Sequence, residues 1–362
     1  MTSKAFGLAQ LGNAYADGAL SNRNKIINGA MTIDQRNAGA AYTPSGVAYA
    51  LDRWNTFMPT GSGHSIQKVS DAPAGFVSSQ KVTIGTGAAP AAANQNAIWQ
   101  PIEGNNIYDL GFGTASAKPI TVSFVVKSSV TGTFNIAIVN GTGTRSYVST
   151  YTINSADTWE YKSVSIEGDT TGTWATDNGV GLTLWFSLGF GSDFETTPNS
   201  WASGDFKASS SGVDLVATSG ATWQITGVQL EAGDTATPFE HRSYGAELAL
   251  CQRYFEKSYN TATAPATATY VGILANGGFY AGPSASYGIR VGAQYKATKR
   301  ATPTVTTFDS SGNAGKCNFP DASTNVTMTV IHNGENGFTA ETTAVSTNQT
   351  RVYWHYTSSA EL

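Results

Sequence analysis

The stretch Ile120-Thr121-Val122-Ser123-Phe124-Val125-Val126-Lys127 decides the fold class. Ile120, Val122, Phe124 and Val126 alternate with Thr121, Ser123 and Lys127. Successive side chains of a strand point to opposite faces, so the apolar row is expected inside and the polar row in water. The same period returns in Phe134, Ile136 and Ile138 after a Thr131-Gly132 turn, and again in Leu182, Leu184, Phe186 and Leu188. Tyr147 to Ile153 and Trp159 to Ile166 read as two more strands joined by the turn Asn154-Ser155-Ala156-Asp157, and Trp223 to Leu230 closes the set. Short strands linked by polar turns, with no helical crossover, point to an antiparallel β-sandwich, most simply a jelly roll. Upstream, Ile27, Met31 and Ile33 read as one face of a strand broken by Gly29, and a second strand is expected from Ala48, followed by Asp52-Arg53-Trp54.

Composition agrees with this class. Only 13% of the 362 residues are charged, 11% are aromatic and 39 are glycine. A helical bundle needs more Leu, Glu, Lys and Arg, and a disordered chain lacks such aromatic content. The length suffices for two domains that each bury a core. A formal net charge of −4, with no run of Lys and Arg, argues against nucleic acid as a partner. No apolar span is long enough to cross a bilayer, and the first residues hold no sustained apolar run of a secretory signal, so membrane insertion is not expected. Cys251 and Cys317 are expected as free thiols.

Downstream of Trp223 the pattern changes twice. Ala232 to Tyr244 is a turn-rich corner around Pro238, and Ala246 to Phe255 holds good helix formers. Beyond it, Tyr287 to Tyr295, Val305 to Phe308, Val326 to Ile331 and Val352 to Tyr356 read as strands separated by Asp309-Ser310-Ser311-Gly312-Asn313 and Asn333-Gly334 turns. The expected organisation is a lead segment over 1–24, a jelly roll over 25–243, a junction helix over 244–259 and a second small β-sandwich over 260–362. On the helix, Leu248, Cys251 and Phe255 are spaced three and four apart. That stripe could pack within the chain or against the same helix in two other copies; the trimer contact is the favoured expectation.

Recognised catalytic patterns do not emerge. His64, His241, His332 and His355 are scattered, without a second ligand at metal spacing. No nucleophile elbow, phosphate loop or dinucleotide fingerprint occurs on a strand–turn–helix frame. Glu160, Glu167, Asp193, Glu195 and Glu231 could in principle form the paired carboxylates of glycan hydrolysis, yet their spacing in space is not legible and no fixed repeat of a β-helix is present. The protein is therefore expected not to be an enzyme. Aromatics are the sharper feature, because sugar rings stack their CH faces on Trp and Tyr. Trp54, Trp159 and Trp223 fall on strands and are expected in the core. Trp99, Trp174 and Trp201, placed in Gly/Asn/Asp-rich loops, with Tyr280, Tyr287 and Tyr353 downstream, are the candidate carbohydrate contacts; Phe338 and His355 are further surface candidates.

The combination Gly227-Val228-Gln229-Leu230-Glu231, Thr237-Pro238-Phe239-Glu240-His241-Arg242 and Glu247-Leu248-Ala249-Leu250-Cys251-Gln252-Arg253-Tyr254-Phe255 resembles the junction of bacteriophage tail-fibre and minor tail proteins. Asn28-Gly29-Ala30-Met31, Asp34-Gln35-Arg36 and Asp52-Arg53-Trp54 are shared with phage structural proteins and are similar to the opening of jelly-roll carbohydrate-binding modules. This resemblance implies a homotrimeric receptor-binding protein of the virion, assembled in the host cytoplasm, joined to other tail proteins through its first residues and attached to host cell-surface polysaccharide. No cofactor is expected. A structural Ca²⁺, common in the resembling jelly rolls, would draw its oxygens from Asp34, Asp52 and Glu231. The alternatives are a purely structural virion part, such as a head fibre, baseplate or tail-shaft component, and a glycan depolymerase.

Overall fold

In the computed structural model, residues 22–44, 46–58, 63–277, 288–319, 324–343 and 351–362 are described. The expected lead segment lies almost wholly outside them, as do Tyr280 and Tyr287. The chain divides into two compact units, one comprising residues up to Thr32, Ala40–Arg242 and Leu362, the other Ile33–Gly39 with Ser243–Glu361.

The first unit is an antiparallel β-sandwich of jelly-roll class. One sheet contains β1 (Ala48–Leu51), β2 (Trp54–Phe57), β5 (Gln95–Glu103), β7 (Gly132–Asn140), β8 (Arg145–Ile153), β10 (Val180–Phe190) and β11 (Trp201–Ser203). Its order is β1-β2-β5-β10-β7-β8-β11. The other contains β3 (Ser65–Val69), β4 (Ser79–Thr83), β6 (Ile120–Ser128), β9 (Glu160–Ile166) and β12 (Thr222–Ala232), in the order β3-β4-β12-β6-β9. The alternating rows read from the sequence meet between the sheets. Phe124 of β6 lies edge-on to Phe186 of β10 at 5.1 Å, and Phe186 reaches Trp223 of β12 at 5.8 Å.

Two local expectations change. Ile27 and Met31 are buried, but their backbone is a turn rather than a strand, with Asn28 and Met31 at φ of 58° and 55°. Left-handed backbone cannot continue a ladder, so the segment packs as a folded loop. Two of the three polar residues of the β6 row are also not in water. Thr121 and Ser123 are buried, with Thr121 Oγ1 donating to the Gly233 carbonyl at 2.8 Å, because the corner after β12 returns beside β6. That corner is tied by Glu231, whose Oε1 accepts from Gln229 Nε2 at 2.8 Å and from the Thr237 amide at 2.9 Å, while Oε2 accepts from Thr237 Oγ1 at 2.6 Å. Within β12 the register shifts between Thr226 and Gln229, where Gly227 sits at φ 63° and a Cβ would lie 2.6 Å from the Phe76 ring. Only glycine meets both demands there.

The second unit begins, after Ile33–Gly39, with α1 (Tyr244–Gln252), capped by Ser243, whose side chain accepts from the Ala246 amide. It continues as β13 (Phe255–Lys257), β14 (Leu274–Gly277), β15 (Arg290–Gln294), β16 (Thr304–Phe308), β17 (Lys316–Phe319), β18 (Thr324–Asn333), β19 (Gly337–Thr342) and β20 (Arg351–Ser359). These form one connected antiparallel network in which β20 pairs with β13, β14, β16 and β17. Val352, Trp354 and Tyr356 of β20 point into a core shared with Phe319, Met328 and Phe338. Both cysteines are buried thiols outside any disulfide, and both belong to this unit. Burial pushes the Cys317 thiol up to about 12, which leaves it a neutral packing group.

Candidate functional site

Two aromatic groups of the first unit hold the candidate tryptophans. On the outer face of the seven-stranded sheet, Trp99 of β5 is paired across the ladder with Trp185 of β10, and their rings stack at 4.4 Å and 18°. Trp99 therefore belongs to a strand rather than to a loop, and is only 8% exposed. Lys207 sets its ammonium 4.8 Å from the Trp185 ring centroid and 4.9 Å from that of Phe194. It pairs with Asp205 at 2.6 Å. The segment carrying these residues is pinned to the sheet by Ser209, whose amide and hydroxyl both donate to Asn135 Oδ1, at 3.2 and 2.7 Å. With Trp99 stacked on it and the Lys207 ammonium over it, Trp185 is half-buried rather than an open platform. Trp185 was missed by sequence reasoning, although the inward row Leu184 and Phe186 places it outward by parity.

Trp174 and Trp201 form a second group at 5.5 Å with Phe112 and Tyr147. Trp174 Nε1 donates to the Thr171 carbonyl at 3.1 Å, and Trp201 Nε1 donates to that of Glu167 at 2.8 Å. Arg145 holds Asp169 through two N–H donors, at 2.7 and 2.8 Å, and spans the Trp201 ring at 5.9 Å. This is a satisfied end-plug of the sandwich, in which Trp201, opening β11, keeps partial exposure. Trp159 is not in the core as expected. It is half-buried beneath the Lys127 ammonium at 5.0 Å, just before β9. Trp54 and Trp223 are core residues.

Of the suggested carboxylates, Glu160 and Glu231 are held in separate hydrogen-bond sets. Glu160 accepts from Lys162, Asn154 and the Ser155 amide; although burial pushes its carboxyl up, these bonds hold it at about 2. Burial, and then the charge of Glu195, pushes the Asp214 carboxyl up. Among the described residues no group of three or more His, Cys, Asp or Glu could hold a metal ion. Of the Ca²⁺ candidates, Asp34 accepts from the Asn37 and Gly39 amides and Glu231 from the corner described above.

In the second unit the helix stripe does not form the expected surface. Cys251 is fully buried, Phe255 lies in β13 with the Arg36 guanidinium 3.9 Å over its ring, and Leu248 alone of the three is half-exposed. The helix ends at Gln252, so Phe255 leaves the helical register. Phe338 and His355 are also buried rather than at the surface. His355 stacks on Tyr259 at 3.8 Å, its Nδ1 meets Ser258 Oγ at 2.9 Å and its Nε2 meets the Thr269 carbonyl at 3.1 Å.

Burial pushes the His355 imidazole below its ordinary 6.5. The unfolded chain then takes up the proton first, so the contribution of His355 is complete above that value and is lost as pH falls below it. Stability of the wild type is expected to decline from pH 7.5 to 5 by up to about 1.4 kcal/mol per pH unit for one proton. His355→Gln should flatten that slope in thermal melts. His64, also pushed down by burial, adds the same sign in both proteins, so the difference between their slopes is the quantity to measure.

Tyr353 of β20 is half-buried against Tyr270 at 6.1 Å, and Tyr270 is 62% exposed. Near it lies a pocket of about 310 Å³ between β14 and β15. Ser258, Asn276, Gln294 and Lys296 supply its polar wall, and Leu274 and Ala293 its apolar wall. Amides, a hydroxyl and an ammonium beside small apolar groups suit a polyhydroxylated ring, whose hydroxyls need partners and whose CH groups need apolar contact.

No family model matches the chain, and no curated protein matches it in sequence. Among solved structures, the chain is similar to the enzymatically active domain of tailspike protein 4 of bacteriophage CBA120, with 12% identity and a TM-score of 0.30, covering 58% of this chain and 22% of that one. It is also similar to a putative sugar binding protein from Bacteroides thetaiotaomicron, with 10% identity and a TM-score of 0.34, covering 58% of this chain and all of that one. A family 11 carbohydrate-binding module of Clostridium thermocellum matches with 13% identity and a TM-score of 0.26, covering 56% of this chain and all of that one. The chain thus spans about a fifth of the tailspike domain's length. Likenesses at these scores carry no inference about what this chain binds.

Proposed function

We propose that the protein is a non-enzymatic glycan-binding component of a bacteriophage particle, a tail-fibre or receptor-binding protein that attaches the virion to host polysaccharide. The observation that carries glycan binding is the pocket between β14 and β15, where hydroxyl, amide and ammonium groups line a space of about 310 Å³. What supports the phage assignment is the sequence resemblance from Gly227 to Phe255. Three copies presenting one shallow site each would multiply a weak single affinity on a surface of repeating sugars. The test is a glycan array and a whole-cell adsorption competition with the purified chain. Saturable binding to host polysaccharide is the expected result, and no binding to any host glycan would sink the proposal.

For the first unit, a second reading has its own support. The capped Trp99–Trp185 face and the satisfied Trp174–Trp201 plug leave no bare aromatic platform among these residues, which favours a scaffold role for the sandwich. Electron microscopy of the particle separates the two: a unit buried between other virion parts is scaffold, and a distal exposed one is adhesive.

A further inference from the structure

The pocket between β14 and β15 has a charge as well as a shape. Lys296 stands exposed at its wall, and its ammonium donates to the Lys257 carbonyl at 2.8 Å. That bond uses one of three N–H groups and fixes the head of an otherwise flexible side chain, leaving two donors for a ligand. Asn276 is similarly held. Its Oδ1 accepts from Trp354 Nε1 at 3.2 Å, which orients the amide and leaves the NH₂ group as its donor end. Ser258 adds a hydroxyl already committed as partner to His355 Nδ1 and to the Tyr356 amide. The polar wall therefore offers donors from Lys296 and Asn276, while the Gln294 amide offers both a donor and an acceptor.

No carboxylate occurs among the described residues that line the pocket. Behind it, Glu256 is bonded to Tyr356 Oη at 2.6 Å, to the Lys299 ammonium at 2.8 Å and to the Lys296 amide at 2.9 Å, and is itself fully buried. Its charge is met by Lys299, so among the described residues no carboxylate pairs with the Lys296 ammonium at the pocket wall. A wall with fixed donors and one positive charge favours a ligand group that is acceptor-only and negatively charged, a requirement that a carboxylate meets. The volume of about 310 Å³ is at the lower end of the roughly 300–1,000 Å³ over which small-molecule sites occur, which suits one or two sugar rings rather than a polymer segment.

We infer that this pocket binds a carboxylate-bearing sugar, a uronic or sialic acid residue, with Lys296 pairing the carboxylate and Asn276 donating to a neighbouring oxygen. This rests on the glycan-binding reading and adds the class of sugar to it. The test uses the full chain in solution, titrated with oligosaccharides ending in glucuronate, with sialyllactose, with sulfated oligosaccharides, and with the carboxyl-reduced or neutral counterpart of each acidic probe. One of the two carboxylated probes is expected to bind, and its neutral counterpart to bind about 10- to 100-fold more weakly, as for loss of a hydrogen bond to a charged group. Lys296→Gln should erase that difference while Lys296→Arg keeps it, and unchanged thermal melting of both variants certifies that they fold. Equal binding of acidic and neutral probes, or an acid preference that survives Lys296→Gln, overturns the inference and leaves the glycan-binding reading standing. A preference for sulfate over carboxylate overturns it as well. Failure to bind any glycan, acidic or neutral, overturns the parent reading.

Discussion

Replacing Lys299 by Met is expected to destabilise the second unit by about 3–5 kcal/mol, the range for removing one partner of a buried ion pair. Lys299 and Glu256 meet at 2.8 Å with both side chains fully buried. Glu256 also accepts from Tyr356 Oη, from the Lys296 amide and from the Ala297 amide, so its carboxylate is the hub joining β13, β20 and the segment after β15. Burial pushes the Lys299 ammonium down, and the Glu256 charge opposes that push. Taking the ammonium away leaves an anion in a place that water cannot enter. Removing both charges together, as Lys299→Met with Glu256→Gln, should recover part of the loss, because the neutral amide can still accept from Tyr356 and one backbone N–H. Denaturant unfolding of wild type, single and double variants measures this directly. A single-variant loss below about 1 kcal/mol, the range of surface pairs, would mean that the pair is hydrated in solution.

Neither Lys299 nor Glu256 stood out in the sequence, and the reason is physical. Period-two rows such as Ile120–Val126 and Leu182–Leu188 reveal which face of a strand is apolar, and those rows are indeed the sandwich core. A buried charge pair depends on two segments 43 residues apart meeting in space, which no local pattern encodes. The same limit explains the aromatics. Parity puts Trp185 on the outer face of β10, but whether that face is open depends on the segment around Lys207 that folds across it. The helix stripe failed differently. Leu248, Cys251 and Phe255 have helical spacing, yet the helix stops at Gln252 and Phe255 enters β13, so a pattern read across an element boundary joined residues on different elements. The pocket between β14 and β15 was illegible as well, since β14 carries no alternating apolar row and its lining is gathered from several strands and loops.

Trp223→Ala is expected to cost about 3–5 kcal/mol, as for deleting a large aromatic side chain from a packed core. Trp223 is fully buried and sits where the two sheets meet. Its ring is 5.8 Å from Phe186, which in turn touches Phe124 at 5.1 Å and Trp54 at 6.3 Å. Its indole Nε1 donates to Tyr151 Oη at 3.3 Å, and Tyr151 lies between Phe124 and Phe134. The substitution therefore opens a cavity and strips the buried phenol of its partner at once. Trp223→Phe reduces the cavity while removing the donor, since it keeps most of the apolar volume. Tyr151→Phe tests the same bond from the other end, and each of these milder changes should cost about 1–3 kcal/mol. Because both ends of one hydrogen bond are removed in the double variant Trp223→Phe with Tyr151→Phe, its cost should fall short of the sum of the two singles. Additive losses in denaturant unfolding would show that the indole and phenol contribute through packing alone. That outcome would leave the aromatic cluster as the source of cohesion between the sheets, and the bond between Trp223 and Tyr151 as incidental to it.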